Sequence, residues 1–118
     1  MIVHVLDHWI VPEKLEQARE LFAANTKVIT KIPGLIARHV LQSQKDPLKW
    51  TTIAIWEDEK GPKAWDEHPE HIWDRYGYPL QCPADTEYYK KYGNAGTVHT
   101  KRAVGEVFTV ISSDVLKK

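Results

Sequence analysis

Residues 2 to 11, Ile-Val-His-Val-Leu-Asp-His-Trp-Ile-Val, are rich in β-branched side chains and stop at Pro12, so they read as a strand. Successive side chains of a strand point to opposite faces. One face therefore carries Ile2, His4, Leu6, His8 and Ile10, and the other carries Val3, Val5, Asp7, Trp9 and Val11. Both sets are mainly apolar. A strand with two apolar faces belongs to a sheet that is covered on both sides. The fold must therefore supply a covering layer for each face.

The first layer is written in the residues that follow. Pro12-Glu13 suits the first turn of a helix, where proline loses no hydrogen bond and an acid meets the positive end of the dipole. Leu15, Ala18, Leu21, Phe22, Val28, Ile29 and Ile32 then recur at helical spacing, with Lys14, Glu16, Gln17, Glu20 and Lys27 on the opposite side. Pro33-Gly34 ends the helix. Residues 35–43 and 50–56 read as strands joined through Gln44-Lys45-Asp46-Pro47, and so short a link makes them an antiparallel hairpin.

Asp58 is placed to cap a second helix, with Gly61-Pro62 bending its first turn and Ala64 and Trp65 on its apolar side. Pro69 removes a backbone donor, which predicts a break near His68 and a short second helical piece from Pro69 to about Tyr76. Residues 77–101 form a long loop with four tyrosines and one helical turn between Asp85 and Tyr92. A connection of that length is functional more often than not when it carries so many aromatics. Residues 103–111 give the last strand, and Ser112 to Lys118 a polar tail with a solvated end at Lys117-Lys118.

The order β-α-β-β-α-β over a single domain, 1–118, is the ferredoxin-like α+β arrangement. It is a four-stranded antiparallel sheet with two helices on one face. Because both helices cover the same face, the other needs a second copy of the chain, and a homodimer (a dimeric α/β barrel) is expected. On that reading His4 and His8 lie on the dimer face as buried, hydrogen-bonded histidines. Sixteen basic residues balance sixteen acidic ones, so no general field favours nucleic acid or an anionic membrane. No run approaches the ~20 apolar residues of a membrane span. Cys82 is the single cysteine, which rules out an intrachain disulfide and suits the reducing cytoplasm.

Chemistry concentrates between Trp56 and Trp73, which hold three of the five tryptophans and two of the six histidines. Tryptophan buries a large flat surface and imidazole titrates near neutrality, so the stretch is either a packed corner or the wall of a pocket. His68-Pro69-Glu70-His71 alone is too sparse for a metal site, and none is expected. Several motifs, taken in order, resemble the antibiotic biosynthesis monooxygenase family of dimeric α+β barrels. They are Ile32-Pro33-Gly34-Leu35, Gln42-Ser43-Gln44-Lys45-Asp46-Pro47, Ile55-Trp56-Glu57, and Ala64-Trp65 with His68-Pro69-Glu70-His71. The resemblance covers residues 2 to about 73 and resumes at the last strand.

It implies a homodimer that oxidises a small aromatic or quinol compound with dioxygen and without metal or flavin. The same family holds haem-degrading oxygenases, whose strand-one asparagine and helix-two tryptophan fall near Asp7 and Trp65. The position ten after Trp65 is Arg75, so His71 or His68 would have to serve as haem ligand. The site expected here places Asp7, Trp65 and His71 in one cavity between the sheet and the second helix. Asp7 or His71 is the base, and Trp9 and Trp65 hold a flat substrate. Arg38, His68 and Trp73 are further substrate-binding candidates, and the tyrosine-rich loop closes over the top. A third reading is a dimeric small-molecule binding module without catalysis, since fold alone does not choose between them.

Overall fold

The structure, a computed structural model, describes residues 1–114; the expected solvated end at Lys117-Lys118 lies outside them. Strands β1 (Ile2–Trp9), β2 (Leu35–Gln42), β3 (Lys49–Trp56) and β4 (Val104–Thr109) form one antiparallel sheet in the order β2-β3-β1-β4. A short 3-10 turn (Pro12–Lys14) leads into α1 (Leu15–Ile29), and α2 (Lys60–Asp66) and α3 (Glu87–Tyr92) follow β3. This is the expected ferredoxin-like topology. No helix among the described residues is long and apolar enough to cross a membrane.

Strand β1 is central, paired with β3 on one side and β4 on the other. In its register His4 lies opposite Ala54, Leu6 opposite Thr52 and His8 opposite Trp50. Paired residues share a face, so the even-numbered side chains of β1 join Trp50, Thr52, Ala54 and Trp56 beneath α1. His4 and His8 therefore sit on the helix side, which corrects their expected place on the far face. The far face carries Val3, Val5, Asp7 and Trp9 of β1, with Thr51, Ile53 and Ile55 of β3 and Val104 and Phe108 of β4 in register.

Helix α1 buries Ala18, Leu21, Phe22 and Ile29 as its spacing predicts. Gln17, assigned by the same spacing to the solvent side, is buried as well, because its amide donates to the Tyr88 hydroxyl of α3 and to the Gly96 carbonyl. Two apolar groups result. One gathers Ile10, Phe22, Trp50, Ile72, Tyr88 and Val98, and the other Ile29, Ile32, Ala54 and Trp56. Gly34 closes the turn after α1 at φ 93°, a conformation that glycine adopts without the Cβ penalty.

Between Pro69 and Tyr76 the expected second helical piece is absent. The Asn25 side chain takes up both backbone groups of Ile72: its amide donates to the Ile72 carbonyl at 3.0 Å and its oxygen accepts from the Ile72 N–H at 2.9 Å. Trp73 and Gln81 then exchange two backbone hydrogen bonds of 2.9 and 3.0 Å. With those groups engaged across the fold, the segment has no helical ladder to form. The single helical turn expected between Asp85 and Tyr92 is present as α3.

Gly61 has a packing role that its turn-forming reputation hides. It is buried against Trp56, itself 1% exposed, and a Cβ built on Gly61 would fall 2.0 Å from the indole ring. Gly61→Ala should therefore cost about 1–3 kcal/mol through forced repacking. Thermal unfolding should show a drop of several degrees relative to the unsubstituted chain.

Candidate active site

A cavity of about 410 Å³ lies between the helix side of the sheet, α1 and the segment that follows α2. The two apolar groups of the core flank it, so its lower walls are Leu21, Phe22, Ile29 and Ala54. Its functional walls are polar or aromatic. Arg38, His8 and Thr52 contribute from the sheet, and Trp65, His71 and Trp73 from the far side.

Trp65, His71 and Trp73 form one stack. The Trp65 and His71 ring centres lie 3.5 Å apart with planes 12° from parallel, and His71 and Trp73 lie 4.0 Å apart at 21°. The sequence makes this possible through two devices already described. Pro69 ends helical continuation, and Asn25 fixes the backbone of Ile72 between the two stacked residues. His71 Nδ1 lies 2.9 Å from the Trp65 carbonyl oxygen. A carbonyl only accepts, so Nδ1 carries the proton and Nε2 is left as a bare acceptor.

Burial, followed by the nearby Arg38 and His68 charges, lowers the His71 pKa to about 4 against the opposing effect of the Trp65 carbonyl bond. Arg38 donates from Nε to Thr26 Oγ1 at 3.0 Å and has no carboxylate within ion-pair distance among the described residues. Burial lowers its pKa without discharging it, since guanidinium titrates far above neutrality. The cavity wall therefore carries a guanidinium with no direct carboxylate partner. Asp66 stands at the rim, its pKa raised first by desolvation.

Of the residues expected at the site, Arg38, Trp65, His71 and Trp73 converge on this cavity, and Asp7, Trp9 and His68 do not. Asp7 projects from the far face of β1 and accepts a 2.7 Å hydrogen bond from the Thr51 hydroxyl. Its parity excludes it: the residues of β1 that reach the cavity are even-numbered. Trp9 shares that far face and has Lys101 Nζ 4.0 Å above its ring. His68 turns back on its own loop, where Nδ1 accepts the Glu70 N–H at 3.0 Å. Among the described residues no group of three or more His, Cys, Asp or Glu side chains is arranged to hold a metal.

Sequence reading missed a second buried cluster on the cavity wall. His8 Nδ1 lies 2.9 Å from His99 Nε2, and His99 Nδ1 lies 3.1 Å from Asp74 Oδ1. Asp74 is also held by the Thr97 hydroxyl and the Val98 N–H. His8 Nε2 faces the Thr52 hydroxyl at 3.3 Å. Burial, with His99 and Arg38 adding to it, lowers the His8 pKa to about 3. Strand parity gives His8 once the helix side is known, but His99 sits in the long loop, where no periodicity points to it, and Asp74 in the segment expected to be helical.

An antiparallel sheet of order β2-β3-β1-β4, with its helices on one face, defines the ferredoxin-like α+β fold class. A family model described as antibiotic biosynthesis monooxygenase matches residues 1–72, and the chain belongs to that family. No curated protein matches the sequence. Solved structures share the fold at low identity. SnoaB, a cofactor-independent oxygenase from Streptomyces nogalater, is 14% identical, with 95% of each chain covered and a TM-score of 0.63. A mutant of MhuD, solved with two manganese protoporphyrin IX molecules per active site, is 15% identical over 98% of this chain and 99% of its own, at a TM-score of 0.66. A conserved protein from Methanosarcina mazei Go1 is 16% identical over 91% and 89% of the two chains, at 0.62.

The two depressed imidazoles make stability depend on pH in a definite direction. Unfolded histidines titrate near 6.5, whereas folded His71 and His8 titrate at about 4 and about 3. Between those limits the unfolded chain binds more protons, so this contribution is complete above about pH 6.5 and is lost as pH falls towards the folded values. Chemical denaturation should show stability falling by roughly 1 kcal/mol per pH unit for each ring between about pH 6 and pH 5. His8→Gln should reduce that slope.

Proposed function

We propose that this chain is a cofactor-independent oxygenase that uses dioxygen on a small aromatic or quinol compound carrying an acidic hydroxyl. The observation that carries the reading is the unpaired Arg38 guanidinium in a cavity walled by the Trp65–His71–Trp73 stack. Flat indole surface suits a flat ring. Oxygenation without a cofactor begins with removal of a hydroxyl proton, because the resulting electron-rich anion can donate an electron to dioxygen. A fixed cation in a water-poor site stabilises that anion far more than it would in bulk water. His71 presents a neutral ring with a bare Nε2, so it is able to accept a hydrogen bond from the same hydroxyl.

Oxygen uptake against a panel of quinols and anthrone-like compounds tests this. Turnover is expected for at least one of them, and Arg38→Gln should lower kcat/KM by about a hundredfold with the fold intact. No uptake across the panel would remove the reading. Haem binding is the second reading, and the His71 tautomer favours it: a ring whose Nδ1–H is fixed by a carbonyl is oriented to ligate through Nε2. Both faces of that ring are covered by indoles, so a porphyrin would meet it only at its Nε2 edge. Titration with haemin that gives a Soret band, lost in His71→Ala, would reverse the order of the two readings.

We also propose that the functional unit is a homodimer. The far face of the sheet presents Val3, Val5, Ile53, Ile55 and Phe108 without a covering helix. Burial of such a face is worth about 25 cal/mol per Å². Sedimentation should give twice the chain mass of 13.6 kDa, and Phe108→Glu with Val5→Glu should return the monomer.

A further inference from the structure

We propose that Asp74, His99 and His8 form a proton relay that takes up the hydroxyl proton of the compound bound in the cavity, with His8 as the catalytic base. The inference rests on the reading of the cavity as a site for an acidic hydroxyl.

The hydrogen bonds have one consistent direction. The Asp74 carboxylate accepts from the Thr97 hydroxyl, from the Val98 N–H at 3.3 Å and from His99 Nδ1 at 3.1 Å. A carboxylate only accepts, so His99 carries its proton on Nδ1 and offers a bare Nε2. His8 Nδ1, 2.9 Å away, must then be the donor, which leaves His8 Nε2 bare. That nitrogen faces the Thr52 hydroxyl at 3.3 Å, and both residues line the cavity. The chain thus runs from a fixed carboxylate to an acceptor nitrogen at the cavity wall. His8 and His99 are 7% and 5% exposed, so bulk water does not short-circuit it.

The step balances. The O–H bond of the ligand breaks and its proton bonds to His8 Nε2. The Nδ1–H bond of His8 breaks as that proton bonds to His99 Nε2. His8 ends neutral in the opposite tautomer, His99 becomes an imidazolium held against the Asp74 carboxylate, and the ligand becomes an oxyanion facing Arg38. No electron moves in this step. The Thr52 hydroxyl, no longer needed by His8 Nε2, is released to donate to the oxyanion.

A single histidine would do this poorly. A cation left on His8 would sit among Phe22, whose ring lies edge-on at 4.8 Å, and within the field of Arg38 from β2. Asp7, on the far side of the strand, offsets that field only in part. Moving the charge one ring further places it 3.1 Å from the Asp74 carboxylate. The arrangement separates the acceptor at the cavity from the place where charge is stored. His99 and Asp74 are accordingly positioning residues.

Two measurements on the full chain test the relay. In the ligand-free protein, nitrogen-15 spectra of the imidazoles should show both His8 and His99 protonated on Nδ1. Either ring carrying its proton on Nε2 instead would overturn the relay. The second measurement uses para-nitrophenol, whose phenolate has its own absorption band. The bound phenol should ionise at a pH below that of the free compound. Asp74→Asn and His99→Gln should each lower the bound phenolate-to-phenol ratio about tenfold at fixed pH, a shift of one pH unit. Variants that bind the phenol and leave that ratio unchanged, whatever their thermal stability, would mean that the cluster only holds the fold, and would overturn the proposal. Failure of the folded wild type to bind para-nitrophenol would instead overturn the reading of the cavity, and the ligand-free spectra would still decide the relay.

Discussion

The cavity exists because one asparagine occupies both backbone groups of one residue. Asn25 donates to the carbonyl of Ile72 and accepts from its N–H, bridging the middle of α1 to a stretch of chain with no ladder of its own. A buried peptide group without a partner costs about 1–3 kcal/mol, so the segment around Ile72 stays extended only while that side chain stands opposite it. From that anchor the rest of the wall follows. His71 and Trp73 flank the fixed residue and stack with Trp65, and Asp74, next along, reaches the histidines of the sheet and loop. Helix α1 thus works as a packing element on one side and as a template for the site on the other.

The sheet supplies the opposite wall through parity alone. A strand sends alternate side chains to opposite faces, and a shift of one residue would exchange every one of them. With His8 paired to Trp50 and Leu6 to Thr52, the histidine and the threonine enter the cavity together. Asp7 goes to the far face by the same rule. The chemistry is affected as well as the placement. A carboxylate at the position of His8 would neutralise Arg38, whereas a neutral imidazole leaves the cation free to meet an anion from outside.

Which parts of this could be read from the sequence follows from how local their causes are. The four strands, α1 and the turn of α3 declare themselves in spacing, because each rests on contacts repeated every two to four residues. Trp65, His71 and Trp73, which line the cavity, stood out in the sequence because residue type and crowding marked them, and Arg38, which lines it too, stood out only as a polar member of its strand. The choice of face for Asp7 and His8 was not, since both faces of β1 are apolar and nothing in the strand itself says which one the helices cover. The segment from Pro69 to Tyr76 was misread as helical for a related reason. Its conformation is set by Asn25, 47 positions earlier, and no local pattern contains that information. Asp74, within that same segment, and His99, in the long loop, were hidden in the same way, because the order of both stretches comes from distant partners.

The two histidine clusters solve different problems with the same side chain. His71 is held by its faces, between two indoles, and its Nδ1–H is committed to a carbonyl, which fixes the bare nitrogen in space but leaves nowhere for an accepted proton to go. His8 is held by its nitrogens, and the ring behind it leads to a carboxylate. Both are neutral at physiological pH, so neither adds to the cation already present in Arg38. An acidic hydroxyl placed between them would meet two acceptors, but only His8 is hydrogen-bonded through a second ring to a carboxylate. The stacked ring is thus suited to orienting a ligand and the chained ring to receiving its proton. A desolvated guanidinium beside both gives the resulting anion a counter-charge without supplying a base that would compete for the same proton.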